Sequence, residues 1–171
     1  MIELIGQKLF KEIITEIKEA KYFSISLDST PDIANFDKLA LTFRYVHKDG
    51  PVERFTKFLD MHGHTAQDIV ESFFSFMKEN HLNISNCRGQ SYDNASNMSG
   101  KYNGVQALIR KEKALADYVP CCAHSLNLVG QSAIDCVPHV CHFFDFIQNC
   151  YTFFRASTHR WRLLLRELSE H

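Results

Sequence analysis

Apolar residues recur at helical spacing through the first twenty positions. Ile2, Ile5, Leu9, Ile13 and Ile17 fall close to one face, which predicts an amphipathic helix over residues 2–20. The period then drops to two. In YFSISLD, Phe23, Ile25 and Leu27 alternate with Ser24, Ser26 and Asp28, predicting a strand with Asp28 at its carboxyl end. Residues 38–47 and 52–61 alternate in the same way around Asp49-Gly50, a hairpin turn. Thr65 with Asp68 has the spacing of a capping box, and Ile69, Phe73, Phe76 and Met77 carry a helix to about His81.

The second half is less regular. NCRGQSYD, residues 86–93, makes a weak strand, since it holds Gly89 and few β-formers. SYDNASNMSG, residues 91–100, reads as a loop rich in turn-forming side chains. Helix is expected over 103–114, a short strand at DYVPCC, helix over 125–136, and helix again from Pro138 to Leu168 with a break near ASTHRW. No repeat or low-complexity tract interrupts this order.

Three hairpin-linked strands followed by two α/β crossovers predict an α/β fold with a mixed sheet. If the fourth strand pairs parallel to the first, the chain leaves that strand on one side and returns on its other. The carboxyl ends of those two strands then flank a topological switch point, where ligands tend to sit. Asp28 ends one and Asp93 follows the other. The division expected is residues 1–136 as the α/β core with its N-terminal helix, and 137–171 as a helical extension.

Composition adds modest limits. A chain of 171 residues with 45% hydrophobic content can bury a core. A formal net charge of −1 removes any global basic signature, so a nucleic-acid contact has to be local. The first helix alternates charge with apolar residues and resembles neither a signal peptide nor a membrane span, so no membrane partner is expected. Six Cys without a secretory signal are read as thiols.

Two aspartates a few Å apart repel when both are ionised and call for a cation or a shared proton. Hard oxygen ligands with room for water suit Mg²⁺ or Mn²⁺, which makes Asp28 and Asp93 the candidate metal and catalytic pair. Such ions activate water and stabilise the leaving oxygen of a phosphodiester, chemistry that usually takes a third carboxylate.

SISLDST, then YDNASNMSG, then PCCAHSLNL and a final RW resemble the hAT-type transposases. The similarity is strongest to the domesticated or degraded type with a DUF4371 region, found in zinc-finger MYM-type and THAP-linked vertebrate proteins. It extends from the first helix to about Leu168. The resemblance implies a ribonuclease-H-like fold, which restores the weak fourth strand. It matches Asp28 and Asp93 to the first two catalytic acids, and Cys121 with His124 to a downstream C-x-x-H motif; these two and Asn97 are expected to be structural. Arg160 and Trp161 match a pair that contacts the cleaved DNA end, where stacking an exposed base on an aromatic ring is worth ~1–3 kcal/mol.

The family's third acid, a Glu, follows a large helical insertion, and the chain reaches His171 before such an insertion is complete; an N-terminal zinc finger is also lacking. Glu167 and Glu170 lie in the wrong segment. The expectation is therefore a truncated core in a nuclear protein, DNA-associated and without transposition activity. The alternative is a domesticated interaction module whose C-terminal helices dimerise or recruit a protein.

Other constellations are weaker. Cys121 and His124 could take Cys136, His139, Cys141 or His142 as partners, but clean ligand pairs are absent and zinc is not expected. His62 and His64 read as loop residues. Arg155, Arg160, Arg162 and Arg166 with His159 form the basic concentration, and Arg155, Arg162 and Arg166 share helical spacing suited to phosphates. Phe143, Phe144, Phe146, Phe153 and Phe154 crowd the same region, more aromatic surface than one helix can bury.

Overall fold

A computed structural model describes residues 2–31, 37–61 and 63–169. The chain divides into two compact units, Met1–Ser125 and Leu126–His171.

The first unit opens with helix α1 (Ile2–Ala20), followed by strands β1 (Phe23–Pro31), β2 (Asp37–His47) and β3 (Gly50–Asp60). Helix α2 (Ala66–Glu79) and a 3₁₀ turn at Ile84–Asn86 lead into β4 (Cys87–Tyr92). A one-turn helix α3 (Ser96–Ser99), helix α4 (Val105–Glu112) and β5 (Asp117–Pro120) complete the sheet. Strand order is β3-β2-β1-β4-β5. β1 pairs antiparallel with β2 and parallel with β4, and β4 pairs parallel with β5. This is the predicted mixed sheet, with the fourth strand in place.

Alternation explains the inward face. Phe23, Ile25 and Leu27 of β1 and Leu39, Leu41, Phe43 and Tyr45 of β2 are all buried. Against them lie α2, through Ile69, Val70, Phe73, Phe76 and Met77, and α4, through Val105 and Ile109. Each such side chain contributes roughly 1.5–3 kcal/mol by leaving water. Phe76 meets Phe43 at 6.2 Å and Phe10 edge-on at 6.1 Å, which ties α1 to the same core.

Several expectations shift in detail. The apolar stripe of α1 buries only from Ile13 onward; Leu4, Ile5 and Leu9 stay exposed. β1 continues past Asp28 to Pro31, because the long partner β2 extends the ladder with Asp28 opposite Ala40. The hairpin turn is Lys48-Asp49, and Gly50, at φ +133°, already pairs with His47 as the first residue of β3. The capping box on α2 forms as expected: the Thr65 hydroxyl accepts from the Asp68 amide at 3.2 Å and the Asp68 carboxylate accepts from the Thr65 amide at 3.0 Å. The helix ends two residues short of His81.

The weak strand β4 holds for reasons composition hides. Gly89 sits where a Cβ would meet the Ser24 hydroxyl at 2.8 Å, so a side chain there would force Ser24 to move. Gln90 is buried yet fully engaged: its amide donates to the carbonyls of Gln106 (3.1 Å) and Ala116 (2.9 Å), and its oxygen accepts from the Tyr92 hydroxyl (2.9 Å). A buried polar side chain satisfied on every side fixes a strand's position where an apolar one would only fill space.

Helix α5 (Cys122–Asp135) runs from the first unit into the second, which continues with α6 (Pro138–Arg155) and α7 (Thr158–Ser169). α5 starts three residues before its predicted start. The predicted break falls at Ala156-Ser157. No helix among the described residues is long and apolar enough to cross a membrane.

Candidate functional site

The carboxyl edge of the parallel strands gathers the sequence's candidate acids. The pairing of β1 with β4 ends at Ser26 opposite Ser91, and Asp28 and Asp93 each lie two residues further on. Asp28 continues β1 beyond that pairing, and Asp93 is the first residue after β4. Alternation turns Asp28 away from buried Leu27, and Asp28 is exposed. Asp93 follows buried Tyr92 and is half-buried.

β5 brings a third chain end to the same edge. Tyr92 is opposite Pro120, and the Cys121 amide donates to the Tyr92 carbonyl at 2.8 Å, which puts Cys121 beside Asp93. The Cys121 carbonyl accepts from both the Ser125 amide and its hydroxyl, each at 3.0 Å, opening α5. Asn94 donates to the Ser125 hydroxyl at 3.3 Å, fastening the loop after β4 to that helix start. His124 is half-buried on the same first turn.

The loop after β4 is built, not slack. One Asp93 carboxylate oxygen accepts from the Ala95 amide at 3.2 Å, an Asx turn that aims the chain into α3. The Asp93 carbonyl accepts from the Tyr118 hydroxyl at 3.2 Å. Burial, and then the nearby Asp93 charge, raise the Tyr118 pKa, so the hydroxyl stays a donor. Asn97 donates to the His64 carbonyl at 3.2 Å, tying α3 to the approach to α2. Gly100 and Gly104 then close on one another, the Gly104 amide donating to the Gly100 carbonyl at 3.1 Å.

Two carboxylates with one edge open to water are a donor set that fits a hydrated Mg²⁺ or Mn²⁺, which takes few protein ligands. Among the described residues, no three His, Cys, Asp or Glu side chains form a metal-binding group. Cys136 and Cys141 donate their thiols to the Ser132 and Ile134 carbonyls, at 3.2 and 3.4 Å. Residues Cys136, His139 and His142 belong to the second unit. His62 and Glu170 lie outside the described residues.

The basic group of the second unit differs from the predicted stripe. The break at Ala156-Ser157 leaves Arg155 as the last residue of α6, whereas Arg162 and Arg166 lie on α7, so the three do not share one helix face. Arg155 donates to the Tyr151 hydroxyl at 2.8 Å, and Trp161 packs edge-on against the same ring at 6.2 Å. Arg160 donates to the Phe153 carbonyl at 2.9 Å and lies 4.2 Å over the Phe153 ring. Arg162 turns back to the Thr158 carbonyl at 3.4 Å, and Arg166 pairs with Glu167 at 3.2 Å. Arg155, Arg160 and Trp161 thus brace the α6–α7 corner while keeping exposed surface.

Sequence reasoning missed Gln90 and Tyr92 as the buried support beneath Asp93. The signal was present in GQSYD: a polar residue in phase with buried neighbours.

A family model described as DUF4371: ZMYM1/FAM200, RNase-like domain matches residues 1–104. The chain is also similar to a human protein named 52 kDa repressor of the inhibitor of the protein kinase, with 28% identity over 155 residues. That match covers 84% of this chain and 20% of the human protein. The mouse protein of the same name matches at the same identity and coverage. The chain therefore spans 20% of the length of these curated relatives.

Proposed function

The chain belongs to the DUF4371 family of ZMYM1/FAM200 RNase-like domains, and we propose that it is a DNA-associated core that holds a divalent cation and does not cut. The family is related to transposase-derived proteins, and the relatives above carry a repressor's name. Work in the nucleus as part of a regulatory protein follows from that kinship as part of the proposal.

The observation that supports the reading is the parallel pairing of β1 with β4, whose last pair, Ser26 and Ser91, lies two residues before Asp28 and Asp93. A hydrated Mg²⁺ or Mn²⁺ held between them would neutralise the paired carboxylates and offer its remaining positions to phosphate oxygens. The chain's own part is to hold Asp93 by the Asx turn and the Tyr118 hydrogen bond, and to keep Asp28 on a strand paired there with β2. Arg155, Arg160, Arg162 and Trp161 are the proposed DNA contacts of the second unit.

The test is anisotropy of labelled duplex DNA across a salt series, run beside incubation of plasmid with Mg²⁺ or Mn²⁺. Affinity that falls with salt, with the plasmid left intact, is the expected result. Plasmid nicking that Asp93→Asn abolishes would overturn the inactive reading.

A second reading is favoured by a separate observation. Phe143 and Phe146 on α6 are 57% and 62% exposed, and Phe144, Ile147 and Phe153 are also exposed. Such a surface suits pairing with a second copy of this chain. Self-association that persists at high salt, in a protein that binds no DNA, would favour it.

A further inference from the structure

Behind Asp93 lies an open groove of about 740 Å³, between the α3–α4 turn, α4 and β5. Its lining includes Lys101, Tyr102, Gln106, Arg110, Lys111 and Tyr118, with no acidic side chain. Tyr102 is 83% exposed, the most exposed large apolar side chain among the described residues. It is not on a loose tip: Lys101 and Tyr102 sit in the turn that Gly100 and Gly104 close, and Gln106 donates to the Ser99 carbonyl just before it. A ring presented on a braced turn loses little freedom when something stacks on it. Arg110 and Lys111 rise from the last turn of α4, and Arg110 alone has an acidic partner, Asp117 at 3.3 Å. At the other end Tyr118, which lines the groove, donates to the Asp93 carbonyl.

We infer that this groove binds a single nucleic-acid strand, with its phosphates on Lys101 and Lys111 and an unpaired base stacked on Tyr102. The inference rests on the nucleic-acid reading above and adds a site and a strand state to it. Cations spaced along a groove with an aromatic face between them match what a flexible polyanion with π-faces requires. A duplex keeps its bases stacked inside and offers Tyr102 nothing to stack on. The continuity through Tyr118 leads the strand toward the Asp28/Asp93 edge.

The experiment is fluorescence anisotropy on the whole chain, with a labelled oligothymidylate of about ten nucleotides and a duplex of equal length. Tyr102→Ala should weaken oligothymidylate binding between about fivefold and 150-fold, and duplex binding much less. Lys101→Ala with Lys111→Ala should lower the magnitude of the salt slope by about 1.4. Asp117→Asn, which releases Arg110, should tighten binding. These side chains are exposed, so far-ultraviolet circular dichroism should match the wild type. If the variants bind the strand as the wild type does, the groove assignment is overturned while DNA association stands. Binding of duplex without binding of the strand overturns it equally. Binding of neither removes this inference together with the reading it rests on.

Discussion

Replacing Gln90 with Leu tests what holds β4, and therefore Asp93, in place. The side chain is 2% exposed and makes three hydrogen bonds, to the carbonyls of Gln106 and Ala116 and from the Tyr92 hydroxyl. Leu has similar volume, so no large cavity opens. The loss is polar: a buried phenol is left without an acceptor, and two carbonyls lose a donor. Orphaning one buried group costs about 1–3 kcal/mol, while the added apolar surface returns about 1. A net loss of about 3 kcal/mol corresponds to a melting-point drop of about 6–12 °C at this chain length. Thermal unfolding followed by circular dichroism measures it. The double variant Gln90→Leu with Tyr92→Phe should lose less than the two single losses together, because both halves of one bond are then gone. A Gln90→Leu protein that melts within about 1 °C of the wild type would refute the argument, since it would show the network carries no net stability.

Tyr45 and the glycines give further checks. The Tyr45 hydroxyl donates to the Glu16 carboxylate at 2.5 Å, and burial, then that carboxylate, push its pKa up to about 12. The folded chain therefore holds this proton more tightly than the unfolded chain does. The stability it contributes is full below about pH 10 and is lost as pH rises through about 12. Urea unfolding at pH 8, 10 and 11 should show a decline that is smaller in Tyr45→Phe, which also loses about 1.5–3 kcal/mol at pH 8. An equal alkaline decline in both would contradict the assignment. Gly104→Ala would place a methyl against the Gly100 carbonyl at 2.6 Å, backbone that cannot step aside, and should cost about 1–3 kcal/mol. Gly6→Ala, with nothing within 4 Å inside α1, should stabilise by about 0.5–1 kcal/mol. Urea titration at neutral pH reads both, and the same sign in the two variants would contradict them.

The hairpins and α2 were legible because alternation and helical spacing are the burial pattern itself: Phe23, Ile25, Leu27, Leu39, Leu41 and Phe43 all point into the core. β4 was legible only through family resemblance. Its stability comes from a close approach at Gly89 and from side-chain hydrogen bonds at Gln90, neither of which propensity measures. The short α3 was lost in a stretch that also forms turns. The arginine stripe misled because spacing counts residues, and the two-residue break at Ala156-Ser157 resets the helix. The parallel pairing of β4 with β1 was legible from topology, since a chain leaving β1 on one side and returning on the other makes those strands neighbours.

A cation site shared by Asp28 and Asp93 is the central claim, and Mn²⁺ titration by calorimetry tests it most directly. The wild-type chain should bind the ion, and the Asp28→Asn with Asp93→Asn variant should show no binding heat. Binding that survives in the variant, or a wild-type chain that binds nothing at millimolar Mn²⁺, would contradict a cation site shared by Asp28 and Asp93.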